Sequence, residues 1–297
     1  MVANNWQGGT PPMMHGTAGL IRVQVTWFEV GYCTHPEAIV LRGGRWQNVQ
    51  FPALVALIQH PTMGNILFDT GYSQRFFQET QSFPNRLYSL VTPVSLRPQD
   101  SLVYQLQQCG IAPSSIRYIL ISHFHADHIG ALQDFPNAEF ICAKSAYDAV
   151  KSKRGLWAIK AGFLAGLLPP DFEQRVRFVE QQPTVSALPD EFEMGFDILG
   201  DRSLLAIDLP GHATGQLGLI FIDTQDHLYF LVADACWSSR AYQDLVTPHP
   251  IAQLIFSDYK MYQETLKKLH QLHQKYPDIR IVPTHCLDFW RRQQAIP

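Results

Sequence analysis

Short runs of apolar residues, several of them alternating with polar ones, mark the strands of this chain. Alternation and β-branched residues predict early strands at residues 21–29, 54–60 and 65–69. The segment PTMG between the second and third of these is typical of a hairpin turn. Later apolar runs predict five more strands, at residues 116–121, 139–143, 204–209, 227–233 and 279–282.

Two segments have the pattern of helices. The first covers residues 101–109, with Asp100 predicted as its N-cap and Gly110 as the residue that ends it. The second covers about residues 257–276 and directly precedes the last predicted strand. Strand runs mixed with helices indicate an α/β or α+β layered sandwich.

The domain organisation follows from the ends and the middle of the chain. Residues 1–18 are rich in Gly, Pro and Asn, and we expect an irregular N-terminal arm there. No linker or repeat divides the remainder, so residues 19–297 are expected to form one domain. A segment rich in Leu, Phe and Trp, at about residues 150–195, is predicted to be a helical insertion into that domain.

Composition excludes several classes of protein. The 297 residues are 46% hydrophobic and 16% charged, which is globular composition, and a net charge of −3 argues against nucleic acid as a partner. No apolar run is long enough to span a membrane, and the N-terminus does not resemble a signal peptide. The five cysteines are scattered without a CxxC pair, so a reducing, cytoplasmic location is expected.

The chemistry of the chain centres on the segment SHFHADHIGAL, which follows the predicted strand at 116–121. It contributes four potential metal ligands, and three later strands each run into one more. Because strand ends converge at one edge of a layered sheet, we expect all seven to meet there. The seven are His123, His125, Asp127, His128, His212, Asp234 and His285.

Imidazoles and carboxylates suit divalent ions. Zinc is the default for such a donor set, and iron, manganese and cobalt are the alternatives. Seven ligands are too many for one tetrahedral ion and suit two ions that share a bridging ligand. A lone histidine after a strand is usually a polar loop residue, but a full HxHxDH with three more ligands at strand ends is hard to obtain by chance.

This pattern resembles the metallo-β-lactamase superfamily over roughly residues 20–290. The resemblance implies an αββα four-layer sandwich with a helical insertion and a two-metal site at one edge. It implies that His123, His125 and His212 hold one ion, that Asp127, His128 and His285 hold the other, and that Asp234 bridges them. Asp69, in the Asp-Thr-Gly turn of this superfamily, would hydrogen-bond one of the ligands; a plain turn residue is the alternative.

A two-metal site of this kind indicates hydrolysis. Two ions about 3.5–4 Å apart lower the pKa of a shared water, so that hydroxide is available to attack an electrophilic centre at neutral pH. Asp127 and Asp234 are the expected catalytic carboxylates, with Asp127 passing a proton to the leaving group. The chain is most similar to the N-acyl-homoserine lactonase branch, which implies lactone opening and quorum quenching. Phosphotriesterase-like enzymes, such as methyl-parathion hydrolases, and glyoxalase-II-like thioesterases are the alternatives.

The substrate pocket is less well defined by sequence. Typical lactonases of this branch have a Tyr three residues after the bridging Asp, whereas Trp237 stands there in this chain. Either Tyr242 reaches in as a catalytic phenol, or the metals suffice. Trp157, Phe163, Leu167 and Trp237 are the candidate pocket residues, and the insertion could instead be buried in the core or in a homodimer interface.

Overall fold

Two β-sheets form the frame of the protein. The computed structural model describes residues 21–188 and 190–295, so the predicted arm at residues 1–18 lies outside the described part. Within these residues the first sheet has seven strands, in the order β4-β1-β2-β3-β5-β6-β7. These strands are β1 Gln24–Pro36, β2 Asn48–His60, β3 Gly64–Phe68, β4 Val94–Ser95, β5 Ile116–Leu120, β6 Glu139–Cys142 and β7 Val176–Phe178.

The second sheet has six strands within the described residues, in the order β13-β12-β11-β10-β9-β8. Its strands pair antiparallel except β12 and β13, which run parallel, so β10, β12 and β13 all end at the same edge. They are β8 Thr184–Ser186, β9 Met194–Asp197, β10 Leu205–Asp208, β11 Leu217–Ile222, β12 Leu228–Ala233 and β13 Arg280–Pro283.

Helices connect and cover the strands. The longest is α10, which begins after Asp258, whose carboxylate accepts a hydrogen bond from the Met261 N–H and so caps the first turn. The α-helices of the described residues are α1 Glu37–Val40, α2 Gln74–Glu79, α3 Arg86–Val91, α4 Leu102–Gln108, α5 Ala126–Ile129, α6 Lys144–Val150, α7 Gly155–Lys160, α8 Phe172–Arg175, α9 Ser239–Gln243, α10 Tyr259–Lys275 and α11 Leu287–Gln294. A 3-10 helix, Pro250–Ile255, precedes α10.

Alternate side chains of the second sheet face two different cores. Leu219 and Leu231 pack into the larger cluster, together with Leu57 of the first sheet. Phe230, one position away on β12, packs into the second cluster with Leu269 of α10. Because strand side chains alternate between faces, β12 is apolar at every position and is buried on both sides.

The predicted α+β layered sandwich is confirmed by the two sheets and the helices that cover them. The apolar run LGLIFI of β11 was missing from the predicted strands, although it is fully buried. The N-cap of α4 is Ser101, whose hydroxyl accepts the Tyr104 N–H, and not Asp100 as predicted. Asp100 instead pairs with Arg97.

The segment predicted as a helical insertion is only partly helical. It contains α7 and α8, but it also supplies β7 and β8, the outermost strands of the two sheets. Leu, Phe and Trp there form both short helices and edge strands, which hydrophobic content alone does not distinguish. No helix of the described residues is both long and apolar enough to cross a membrane.

Candidate metal centre

The ends of five strands carry the candidate site. β3 runs into Asp69, and β5 runs into the loop that leads to α5, where Asp127 and His128 lie in the first helical turn. From the second sheet, β10, β12 and β13 lead to His212, Asp234 and His285. The edge predicted from sequence is therefore the place where these residues meet.

The seven predicted ligands form two groups. One contains His123, His125, His212 and Asp234, and the other contains Asp127, His128 and His285. Within each group, one potential ligand atom per residue lies within 4.8 Å of the others. The structure thus brings together all seven side chains, which come from segments more than 160 residues apart in the chain.

Asp234 lies between the two groups. Its Oδ2 is 3.2 Å from Nε2 of His212 in the first group and 3.3 Å from Nε2 of His285 in the second. Its Oδ1 is 3.4 Å from Nε2 of His128, also in the second group. A carboxylate in this position can share its two oxygens between two cations, as a bridging ligand does.

Hydrogen bonds outside the two groups orient the imidazoles. Oδ2 of Asp69 lies 2.8 Å from Nδ1 of His128, and the carbonyl oxygen of Pro52 lies 2.7 Å from Nδ1 of His285. Each contact directs Nε2 of its ring toward the centre. Ser122, which the sequence reasoning did not single out, donates its backbone N–H and its hydroxyl to the two oxygens of Asp69 at 2.8 Å each. Its place, directly before His123, is the only sequence signal for this role.

Burial and charge set the protonation of the ligands. Burial lowers the pKa of His125 to about 4, and it lowers the pKa values of His123 and His212 well below the usual range. Burial also acts against the charged form of His128, but the carboxylates of Asp127, Asp69 and Asp234 outweigh it and raise the pKa of His128. The first three imidazoles are therefore neutral at neutral pH, the form that binds a metal.

Unsatisfied atoms show that the residues fit metal ions. Nε2 of His123, Nε2 of His128 and Oδ1 of Asp234 are buried and have no hydrogen-bond partner in the described part of the chain, since the last two atoms, although 3.4 Å apart, are not aligned for a hydrogen bond. Leaving such atoms unpaired costs about 1–3 kcal/mol each, unless something else binds them. Five imidazoles and two carboxylates around one space match the donors that divalent cations accept.

The family profile described as "Metallo-beta-lactamase superfamily" matches residues 49–285, a range that includes all seven candidate ligands. The chain belongs to this superfamily. It is also similar to the N-acyl homoserine lactonase AttM of Rhizobium radiobacter, with 24% identity over 262 residues that cover 87% of this chain and 91% of the relative.

Solved structures share the fold. B. thuringiensis AiiA, with N-decanoyl-L-homoserine bound at its active site, has a TM-score of 0.67 at 18% identity and covers 92% of this chain and 96% of its own. AidC, a dizinc quorum-quenching lactonase in complex with a product, has a TM-score of 0.62 at 17% identity. The match covers 90% of this chain and 89% of the AidC chain. At these identities the likeness shows the metallo-β-lactamase fold.

A cavity of 530 Å³ opens onto the candidate metal centre. Asp127, Asp234 and His285 form part of its base. Its walls are largely apolar and come from segments that the sequence reasoning did not single out, because no periodic pattern marks them. Wall residues include Ile39 and Val40 of α1, Tyr88 and Val91 of α3, Tyr72, and Ile251, Leu254 and Ile255 of the 3-10 helix.

The predicted pocket residues have different locations. Trp237 lines the cavity, and its indole N–H donates to Oδ2 of Asp234 at 3.0 Å. Phe163 and Leu167 are fully buried in the larger core cluster and do not line it. Trp157 is 71% exposed and lines a neighbouring cavity instead.

Tyr242 lies away from the centre. Its side chain is buried in the second core cluster, and its hydroxyl donates to the carbonyl oxygen of Ile281 at 3.3 Å. Its ring packs edge-on against His273 of α10. The structure therefore corrects the expectation of a catalytic phenol, because the hydroxyl of Tyr242 is held by backbone outside the cavity.

Proposed function

We propose that this protein is a metal-dependent lactonase that opens the ring of N-acyl-homoserine lactones, as in quorum quenching, and that it uses two zinc ions. The observation that carries the proposal is the apolar cavity directly above the seven-residue ligand cluster. A neutral lactone with an acyl chain matches such a space, because the chain buries apolar surface while the carbonyl reaches the polar base. The N-acyl homoserine lactonases among the relatives support the same class of substrate, the acyl lactones.

The ligand residues have defined tasks in this reaction. Two divalent ions, when bound, make a nucleophile from water at neutral pH and polarise the lactone carbonyl. His123, His125 and His212 would hold one ion and Asp127, His128 and His285 the other, with Asp234 shared between them. Asp127 also lines the cavity, which allows its carboxylate to carry a proton to the departing alkoxide.

The charge of this cavity favours a neutral reacting group directly above the candidate ligands. Its described lining contains two aspartates, and neither a lysine nor an arginine belongs to it. A phosphodiester would bring its negative charge to the reacting centre itself, where no lysine or arginine of this lining replaces its hydration. A cytoplasmic location also belongs to the proposal, because the five cysteines are free thiols, as expected in a reducing compartment.

Ring opening by metal-loaded protein tests the proposal. Proton release should be measured with short-chain and long-chain acyl-homoserine lactones, beside a phosphotriester and a thioester panel, after elemental analysis of the bound metal. We expect lactones to be the best substrates, zinc to be present at two ions per chain, and Asp127→Asn to lose most of the rate. Faster turnover of the phosphotriesters, or no lactone turnover at full metal loading, would overturn the proposal.

A further inference from the structure

A second cavity lies beside the first and shares a wall with it. It has a volume of 380 Å³. The two cavities have four lining residues in common, the candidate ligands His125 and His212 and the apolar Leu254 and Ile255. Both cavities therefore border the same pair of candidate ligands, and a substrate that occupies both has to pass over this shared wall.

The two cavities differ in charge. The first has carboxylates and no lysine in its described lining, whereas the second has Lys153 and Lys160 and no carboxylate. Neither lysine takes part in an ion pair with any described residue, although the neighbouring Lys144 and Lys151 both pair with Asp148. The second cavity is thus a cationic space next to the candidate centre of a chain whose net charge is −3.

Lys153, Trp157 and Lys160 all line the second cavity. Lys160 is the last residue of α7, three positions after Trp157, so these two side chains are neighbours on the helix. Lys153 precedes α7, before the extended Arg154 and before Gly155 with its φ of +56°, so it reaches the cavity from the segment that leads into the helix. The ring of Trp157 provides an apolar surface in the same lining.

Direct packing attaches this segment to the metal centre. The carbonyl oxygen of Gly162, two residues after Lys160, accepts the N–H of Ala126 at 3.0 Å. A Cβ on Gly162 would lie 2.3 Å from Cδ2 of His125, so backbone and imidazole are in close contact. The end of α7, which carries Lys160, is therefore attached to a candidate ligand instead of being part of an independent loop.

We propose that the second cavity is a subsite for a carboxylate group of the substrate, with Lys153 and Lys160 as its cationic partners. The inference rests on the proposed lactonase function, and it adds lactones that carry an acidic substituent to the substrate class. Thr214 and Ser257 line the same cavity and offer hydroxyl groups for the same carboxylate. The first cavity then receives the apolar part of the molecule.

A matched pair of substrates tests the subsite. We would compare a γ-lactone that carries a carboxyalkyl chain with the carboxamide of the same lactone, which is neutral and nearly equal in size. The double variant Lys153→Gln/Lys160→Gln should raise KM for the carboxylate about tenfold, with kcat and the KM for the carboxamide unchanged. Added salt should weaken binding of the carboxylate only, because screening acts on charge.

Lys267→Gln provides the control, because this lysine is exposed on α10 and belongs to neither cavity. It removes one positive charge from the protein and should leave both KM values as they are. Equal KM values for the two lactones, or an equal rise for both in the double variant, would overturn the subsite while leaving the lactonase proposal intact. A protein that opens N-acyl-homoserine lactones but neither of these two lactones would likewise overturn the subsite alone, whereas failure to open any of them at full metal loading would overturn the proposed function.

Discussion

The indole N–H of Trp237 donates a hydrogen bond to Oδ2 of Asp234 across 3.0 Å. The same oxygen lies 3.2 Å from Nε2 of His212 and 3.3 Å from Nε2 of His285. Trp237 packs edge-on against His212 and stacks on Phe256, so its ring has little freedom. The tryptophan therefore orients the carboxylate between the two ligand groups, and it cannot act as an acid.

Trp237→Phe should weaken metal binding. The phenyl ring keeps the packing against His212 but removes the donor that fixes Asp234, so we expect metal affinity to fall about 10–100-fold, with a matching loss of activity at limiting metal. Competition with a coloured chelator measures the affinity. Trp46→Phe is the matched control, since that indole is 71% exposed, packs against His249 and lines neither cavity. An unchanged affinity in Trp237→Phe would show that the hydrogen bond does not orient the carboxylate.

Asp69→Asn should act through His128. Asp69 is buried, and its Oδ2 lies 2.8 Å from Nδ1 of that ring, so the neutral amide would loosen the orientation of Nε2 toward the centre. We expect metal affinity about 10–100-fold lower, concentrated in the group that contains His128. Metal titration followed by elemental analysis should then show that the ion held by Asp127, His128 and His285 is lost before the ion held by the other group.

Asp278→Asn is the control for the loss of a carboxylate, because Asp278 is exposed in the turn before β13. It should bind both ions as the unmodified protein does. Simultaneous loss of both ions in Asp69→Asn would contradict a role confined to His128. It would point instead to a collapse of the loop that contains Ser122.

The convergence of the seven candidate ligands could be predicted from the sequence, whereas the walls of the cavity could not. Each ligand follows a run of apolar residues, and strand ends meet at one edge whatever the loop lengths, so the convergence of His123, Asp234 and His285 could be predicted. The cavity walls come from α1, α3 and the 3-10 helix Pro250–Ile255, whose mutual positions depend on tertiary packing. Phe163 and Leu167 were expected there because they are apolar, yet a buried core uses the same residue types.

Tyr242→Phe should leave catalysis unchanged. The hydroxyl donates to the carbonyl oxygen of Ile281 on β13, away from the cavity, and its removal should cost about 1 kcal/mol of unfolding free energy. Steady-state kinetics and denaturant unfolding of the same preparation separate the two effects. A drop in kcat of about tenfold or more, with the free energy of unfolding unchanged, would show that the Tyr242 hydroxyl takes part in catalysis.

Gly162→Ala should disturb His125 more than it disturbs the fold. Gly162 has a φ of +64°, and a methyl group there would lie 2.3 Å from the ring of His125, so the imidazole must move. Gly200→Ala is a matched control, because Gly200 has a φ of +81° and open space around its Cβ position. Both variants should lose about 1–2 kcal/mol of stability from the left-handed backbone conformation. Only Gly162→Ala should also lower the affinity of the group that contains His125 for its metal, measured by chelator competition. Equal metal affinities in the two variants would show that the ring can shift without cost to the centre.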